Sequence, residues 1–288
     1  EYLAPASVKT SAMLVNTKTV LDQATVNSYA VGAFNVYNLE GVKAVVLSAE
    51  TENIPAIIQL HPESILRGGS PLVSACLKAA SNASVRISVH LDHSDSMDAI
   101  QASISEGITS VMADGSSLDF INNIVFTSKC VDKLKDIDGF VEGELGKLSG
   151  TEDGVTEYES SLTDPEQANE FCEKTGIDAL AVCIGNVHGS YEGEPKLDFN
   201  LLTEIDNSVS VPLVLHGGSG LSDDLINRSI ELGVRKLNVN TELRQAYMFS
   251  LQESLKSEKP DVSSVMEAAM IAMSRVISSK IRLFAGIN

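Results

Sequence analysis

From about residue 30 the chain alternates short, apolar, β-rich runs with longer stretches whose apolar residues recur at helical spacing, the pattern of repeated β-α units around a parallel sheet. The β-rich runs are AVGAFNV (30–36), PAIIQL (55–60), VRISVHLD (85–92), SVMADG (110–115), GFVEGEL (139–145), ALAVCIG (179–185), VPLVLHGG (211–218) and RKLNVNT (235–241). Between them lie helix-length segments such as EGVKAVVLSAETEN, SMDAIQASISEG and DDLINRSIELG. The last two are introduced by Ser or Asp suited to N-caps and closed by glycine. Eight units predict an α/β fold, a closed (β/α)8 TIM barrel with extra C-terminal helices. An open doubly wound sheet is the alternative, but it usually carries a G-x-G-x-x-G turn after its first strand, and FNVYNLEG has none.

Three segments exceed the minimal repeat: residues 146–164 after the fifth strand, 186–209 after the sixth, and the helical stretch 260–283. In the last, Met266, Met270, Met273 and Ile277 build one stripe, which is expected to pack on the barrel, with a second subunit as the alternative. Residues 1–10, EYLAPASVKT, read as a tail or linker, leaving 11–288 for one barrel domain. The first residue is Glu rather than Met, which fits a processed product or one piece of a longer, multidomain chain.

Composition narrows the function classes. The 288 residues are 43% hydrophobic and 21% charged, and no apolar run approaches the length of a membrane span. A net charge of −18 repels nucleic acid and anionic membranes, so an anionic substrate needs a locally positive site such as a metal or helix N-termini. Cys76, Cys130, Cys172 and Cys183 are far apart and form no C-x-x-C pair, so neither a structural zinc site nor a dense disulfide framework is suggested. A reducing, cytoplasmic compartment is expected.

Four of the five histidines fall at or just past the ends of predicted strands: His90, His93, His188 and His216. A lone histidine there is ordinarily a structural one, but several on one rim point to a metal, for which neutral imidazole is the commonest ligand. Strand alternation puts His90 and Asp92 on one face, and His93 joins them if the strand ends at Asp92. His93, His188 and His216 are therefore the candidate ligands, with His90 left to support them or to pack. Glu142 and Glu144 share a face of the fifth strand, Asp114 ends the fourth, and Glu152 and Asp153 follow the fifth.

The glycine-rich HGGSG (216–220) follows the seventh strand and NVNTE (238–242) ends the eighth. Loops after these strands are the usual phosphate site of a barrel, because backbone N–H groups and a helix N-terminus hold the anion while glycine lets it approach. Asn238 and Thr241 beside HGGSG favour phosphate over plain turn formation.

Together, AFNVYNLE, HLDH, SVMADGS, VEGELGKLSGTED, HGSYEGEPKLDF, PLVLHGGSG and KLNVNTELR resemble the zinc-dependent class II ketose-bisphosphate aldolases, the branch with tagatose-bisphosphate and short fructose-bisphosphate aldolases. The resemblance spans about residues 12–285. It implies one zinc ion held by His93, His188 and His216, with Glu144 close to it. Asp92 handles the proton on the aldehyde oxygen, and Glu152 handles proton exchange at the ketone carbon. Gly189, Gly217, Ser219, Asn238 and Thr241 hold the dihydroxyacetone-phosphate half, and Asn35, Gly218 and Asn240 from the same motifs complete the contact set. A monovalent cation, Na+ or K+, is implied near that phosphate.

The expected reaction is reversible cleavage of a phosphorylated ketose to dihydroxyacetone phosphate and an aldehyde through a metal-stabilised enediolate. A Schiff-base route needs a lysine at the mouth; ALAVCIG has none, and Lys236 is expected at the wrong end of the barrel. The sequence also departs from the family pattern. His61 stands in QLHPES where relatives commonly carry a smaller residue, Asn240 varies with substrate among relatives, and KPDVSSVMEAA lacks an Arg directly after the proline where some relatives bind the distal phosphate. Arg67, Arg275 and Lys280 are candidate replacements, and a shorter ketose phosphate remains an open substrate beside the bisphosphates. A metal-dependent hydrolase would place H-x-H on the first strand, which reads AFNV. The non-catalytic alternative is a sugar-phosphate-binding barrel within a larger polypeptide. The resemblance further implies a homodimer or homotetramer.

Overall fold

The computed structural model describes residues 13–152, 155–191 and 193–287, so the predicted tail at 1–10 lies outside the described residues. Eight parallel strands close on themselves: β1 (Val31–Asn35), β2 (Ala56–Leu60), β3 (Ile87–Ser94), β4 (Ser110–Ala113), β5 (Phe140–Leu145), β8 (Ala179–Val182), β9 (Leu213–Leu215) and β10 (Val234–Val239). Neighbours run β1-β10-β9-β8-β5-β4-β3-β2 around the barrel. Helices α2 (Leu39–Glu52), α3 (Pro62–Asn82), α4 (Met97–Ser105), α5 (Phe120–Lys135), α6 (Pro165–Thr175), α7 (Phe199–Ser208) and α8 (Asp223–Glu231) connect successive strands. The (β/α)8 expectation holds.

Local chemistry accounts for the helix starts. Ser96, Asp119, Asp164, Asp198 and Ser222 each accept a hydrogen bond from an N–H of the following first turn, satisfying a donor that the helix leaves orphaned. Gly107 (φ 99°) and Gly233 (φ 104°) close α4 and α8 in the left-handed region that a side chain disfavours.

Apolar residues divide into two clusters. Outward-facing strand residues such as Phe34, Ile58, Leu91, Val111, Leu180 and Leu237 pack under the helices. Inward-facing Val31, Ala33, Ile57, Met112, Phe140, Ala179, Ala181 and Val214 fill the barrel toward the strand N-termini. An additional helix, α1 (Thr17–Asn27), seals that end by inserting Val20, Leu21 and Ala24 into the same cluster. Each fully buried Val, Leu, Ile, Met or Phe side chain there stabilises the fold by about 1.5–3 kcal/mol.

Two of the long segments carry elements that periodicity did not indicate or only outlined. After β5, an antiparallel hairpin pairs β6 (Gly150–Glu152) with β7 (Val155–Glu157). At the C-terminus, α9 (Thr241–Ser254) is followed by α10 (Val262–Phe284). The buried face of α10 is Val265, Ala269, Met270, Met273, Ile277, Ile281 and Phe284, and it packs on α2, α9 and β1. Met266, the first member of the predicted stripe, is half-buried and lies 3.8 Å from the Tyr247 hydroxyl. No helix among the described residues is long and apolar enough to cross a membrane, and the four cysteines are free thiols.

Candidate active site and metal centre

The strand C-termini converge on one mouth, and the histidines predicted there meet. The His93 and His216 rings lie 4.7 Å apart, His93 and His188 4.9 Å, and His188 and His216 5.9 Å. One nitrogen from each falls within 4.8 Å of the others.

How His93 gets there differs from the sequence expectation. β3 does not end at Asp92 but runs to Ser94, and its register against β4 shifts between Leu91 and Ser94. Within that irregularity His93 takes φ 42°, the left-handed region that few residues other than glycine enter. A regular strand would turn this ring to the outer face; the irregularity turns it inward without ending the strand. His93 Nδ1 then meets Asp114 Oδ2 at 2.7 Å, leaving Nε2 2.9 Å from His216 Nδ1. His216 is aimed in the same way, its Nε2 lying 2.9 Å from Glu142 Oε1. Backbone hydrogen bonding of His188 N to Ser149 O ties the third imidazole to the base of the β6–β7 hairpin.

Carboxylates crowd this cluster. Asp92 is 1% exposed and accepts hydrogen bonds from Asn35 Nδ2 at 2.9 Å and Asn238 Nδ2 at 3.3 Å. Burial would raise its pKa, but His93, His216, Lys236 and the Asn35 bond outweigh burial and hold it well below the usual carboxylate range. Burial and then the Asp114 charge push Glu144 well upward, and its Oε2 has no hydrogen-bond partner among the described residues. Burial keeps His188 and His216 neutral, with His93 as the next opposing charge for His188. His93 is the exception: Asp92 and Asp114 overcome its desolvation and raise its pKa.

Three imidazole nitrogens, a buried carboxylate oxygen lacking a donor, and a surplus of negative charge fit a divalent cation of the kind that N and O ligands hold. His93, Asp114 and Glu144 form a second, overlapping group of potential ligands, which sets Glu144 beside the histidine cluster.

The glycine-rich loop lies against this cluster. Gly217 has φ 67°, and a Cβ on it would run into the Val187 carbonyl; a Cβ on Gly218 would sit 2.8 Å from Asn238 O. At Gly189, φ 87°, a Cβ would come 2.7 Å from Thr151 O. Ser219 is buried and its Oγ accepts from Glu242 N at 3.3 Å. Asn240 caps α9 without a side-chain bond to the helix and instead accepts from Tyr37 Oη at 2.8 Å, while Thr241 is the first residue of α9. Glu152 ends β6, and its side chain and Asp153 lie outside the described residues.

Beyond the histidines a cavity of about 320 Å³ opens toward His61, Asp114, Glu144, Lys147 and His188. Lys147 is bound to Glu157 at 2.8 Å. Arg67 is exposed and pairs with Glu63, and Lys280 pairs with Glu242 beside the glycine loop, so neither lines this cavity.

Several placements were not foreseen. Asp114 is the group that orients His93. Tyr191 donates from its hydroxyl to Gly217 O at 3.0 Å, and Asn186 Nδ2 donates to His216 O at 3.1 Å, each pinning a mouth loop. Lys236 does start low in the barrel, level with Val31 and Val214, but its wholly buried side chain carries Nζ up the interior to 2.8 Å from Glu142 Oε2. A side chain of four methylenes carries its charge far from its own strand position, which position counting along a strand ignores.

The chain matches the family described as Fructose-bisphosphate aldolase class-II over residues 15–288. Among solved structures, the YdjI aldolase of Escherichia coli K12 is 35% identical with a TM-score of 0.85, over 94% of this chain and 97% of that one. A Coccidioides immitis protein provisionally assigned as a fructose-1,6-bisphosphate aldolase is 33% identical with a TM-score of 0.89, over 93% and 96%. The Campylobacter jejuni fructose-bisphosphate aldolase, 22% identical with a TM-score of 0.77 over 96% and 97%, shares the fold.

Proposed function

The chain belongs to the class-II fructose-bisphosphate aldolase family, and from that premise we propose that this aldolase reversibly cleaves a phosphorylated ketose to dihydroxyacetone phosphate and an aldehyde, using one zinc ion held by His93, His188 and His216. The observation that carries the reading is the convergence of three imidazole nitrogens within 4.8 Å, beside a buried aspartate. A divalent ion bound there supplies Lewis-acid withdrawal of the charge that develops at the ketone oxygen.

The chain's own residues do the rest. Asp92, ionised and fixed by Asn35 and Asn238, accepts the C4 hydroxyl proton in cleavage and returns it to the aldehyde oxygen in synthesis. Asp114 and Glu142 fix the tautomers of His93 and His216 and so the nitrogens they present. Gly189, Gly217, Gly218 and Ser219 hold the phosphate on backbone turns that, at the three glycines, a Cβ would drive into neighbouring carbonyls, with Asn35, Asn238, Asn240 and Thr241 on the hydroxyls and a Na+ or K+ ion alongside. Glu144 stands by the metal, and Glu152 exchanges the proton at the carbon beside the ketone, C3 of the cleaved ketose. The working form is a homodimer or homotetramer in a reducing compartment.

The test is a release assay for dihydroxyacetone phosphate on fructose and tagatose bisphosphates and on shorter ketose phosphates, with chelated protein and with zinc restored. Turnover that chelation removes and zinc restores is expected. Silence on every ketose phosphate, or turnover indifferent to thorough chelation, would overturn the reading.

A further inference from the structure

Within the barrel, Lys236 is a charged side chain to which neither metal nor substrate contact gives a task. It is the third residue of β10 and has no solvent exposure. Its partners across the sheet are Val31 and Val214, members of the apolar layer below the mouth. From that level the side chain runs up the interior and ends between Glu142 Oε2, at 2.8 Å, and Asn238 Oδ1, at 2.7 Å.

The second contact has a directional consequence. An ammonium group donates and has no lone pair to accept with, so the face of the Asn238 amide turned to Nζ must be its oxygen. The amide nitrogen is then forced the other way, where Asp92 Oδ1 lies at 3.3 Å and the His216 ring nitrogens at 3.2 and 3.3 Å. An apolar group in place of Nζ would leave Asn238 Oδ1 without its donor, so that the observed orientation would rest on the acceptor side alone, at Asp92 and the His216 ring, and the amide would be held less firmly. Glu142 carries the same influence along a second path, because its other oxygen bonds His216 Nε2 at 2.9 Å.

We propose that Lys236 is a positioning residue of the aldolase reaction: its ammonium fixes the Asn238 amide with the N–H groups facing the reacting side of the mouth. The proposal rests on the reading of Asn238 as a substrate contact.

The experiment is a cycle of Lys236→Met, Asn238→Ala and the double variant, compared at equal zinc content and with the fold checked by circular dichroism. Lys236→Met is expected to lower kcat about 100-fold, the scale of a misplaced contact, with KM for the ketose phosphate little changed. The double variant is expected to be no slower than Asn238→Ala alone. Wild-type kcat in Lys236→Met, or losses that multiply in the double variant, would overturn the proposal; wild-type kcat in Asn238→Ala would instead remove the substrate-contact reading beneath it. Should Lys236→Met not fold with Glu142 left unpaired, Lys236→Met with Glu142→Gln takes its place in the cycle. In the metal-free wild type, nuclear Overhauser contacts from the Asn238 amide protons to the His216 ring are expected; contacts to the Lys236 side chain in their place contradict the proposed orientation.

Discussion

The two halves of the barrel interior stand on the same strands and hold opposite contents. Toward the strand N-termini, Val31, Ala33, Ile57, Met112, Phe140, Ala179, Ala181 and Val214 close on one another and on α1. Two or four positions after the inward apolar residues of β1, β2, β5 and β9 come Asn35, Gln59, Glu142, Glu144 and His216, joined by His90 and Asp92 on β3 and Asn238 on β10, all of them buried. The lower half has shape to satisfy and little else. The upper half is polar, and a chain of contacts links much of it: Gln59 donates to Asn35, Asn35 to Asp92, Asn238 to Asp92, and Lys236 bridges Asn238 and Glu142, while Gln59 Oε1, His90 Nε2 and Glu144 Oε2 have no hydrogen-bond partner among the described residues. Stability resides in the first layer, and pre-set direction of hydrogen bonds in the second, where an unpaired charge costs several kcal/mol.

The contrast can be broken most severely at the mouth. His93→Ala is expected to remove metal binding, measured as zinc per chain after dialysis, and to lower kcat by about 10³-fold or more, since a Lewis acid is worth several kcal/mol. Asp92→Ala is expected to keep the zinc and lose about 10²–10⁴-fold in kcat, the range for a positioned proton carrier. Retained turnover in either would show that the polar layer is not where the reaction runs.

In the lower layer the same kind of truncation acts on the other property. Phe140→Ala is expected to cost about 3–5 kcal/mol in denaturant unfolding while the folded fraction keeps its kcat within a small factor. A kcat that fell in proportion to stability would mean that the two layers are not separable.

A finer test uses the one histidine of the polar layer given no ligand role. His90 is fully buried, with Nδ1 2.7 Å from Ser110 Oγ, and burial, then the Lys236 charge, lower its pKa to about 3. In the unfolded chain it titrates near about 6.5. Between those values the unfolded state carries one more proton, so the neutral ring's contribution is complete above about pH 6.5 and is lost as pH falls toward 3, by about 1.4 kcal/mol per pH unit. In metal-free protein, His90→Gln is expected to flatten the dependence of unfolding free energy on pH by that slope between pH 6 and 4. An unchanged slope would place the acid sensitivity in other groups.

Much of the fold and of the site was legible in the sequence because each unit writes its own pattern. The eight apolar runs fell within a few residues of the strands, and His188 and His216, just past strand ends, meet His93 at the mouth. The misreadings cluster where a single residue leaves the regular repeat. The strand irregularity at His93 changes one φ and leaves no periodic signal. The hairpin after β5 is two three-residue strands, too short for alternation to register. The place of Lys236 depended on how far its side chain reaches, not on where its Cα sits.

The sequence by itself determined the alternation of strands and helices, the apolar faces that force a barrel to close, and the residue types able to hold a cation and a phosphate. It could do so because hydrophobic period, capping and glycine geometry act over a few neighbouring residues. Which imidazole nitrogen faces which, which carboxylate stays charged, and which way the Asn238 amide points were decided only in the tertiary structure. Those outcomes depend on groups brought within about 3 Å of one another from strands far apart in the chain, at distances where hydrogen-bond direction and desolvation outweigh any local preference.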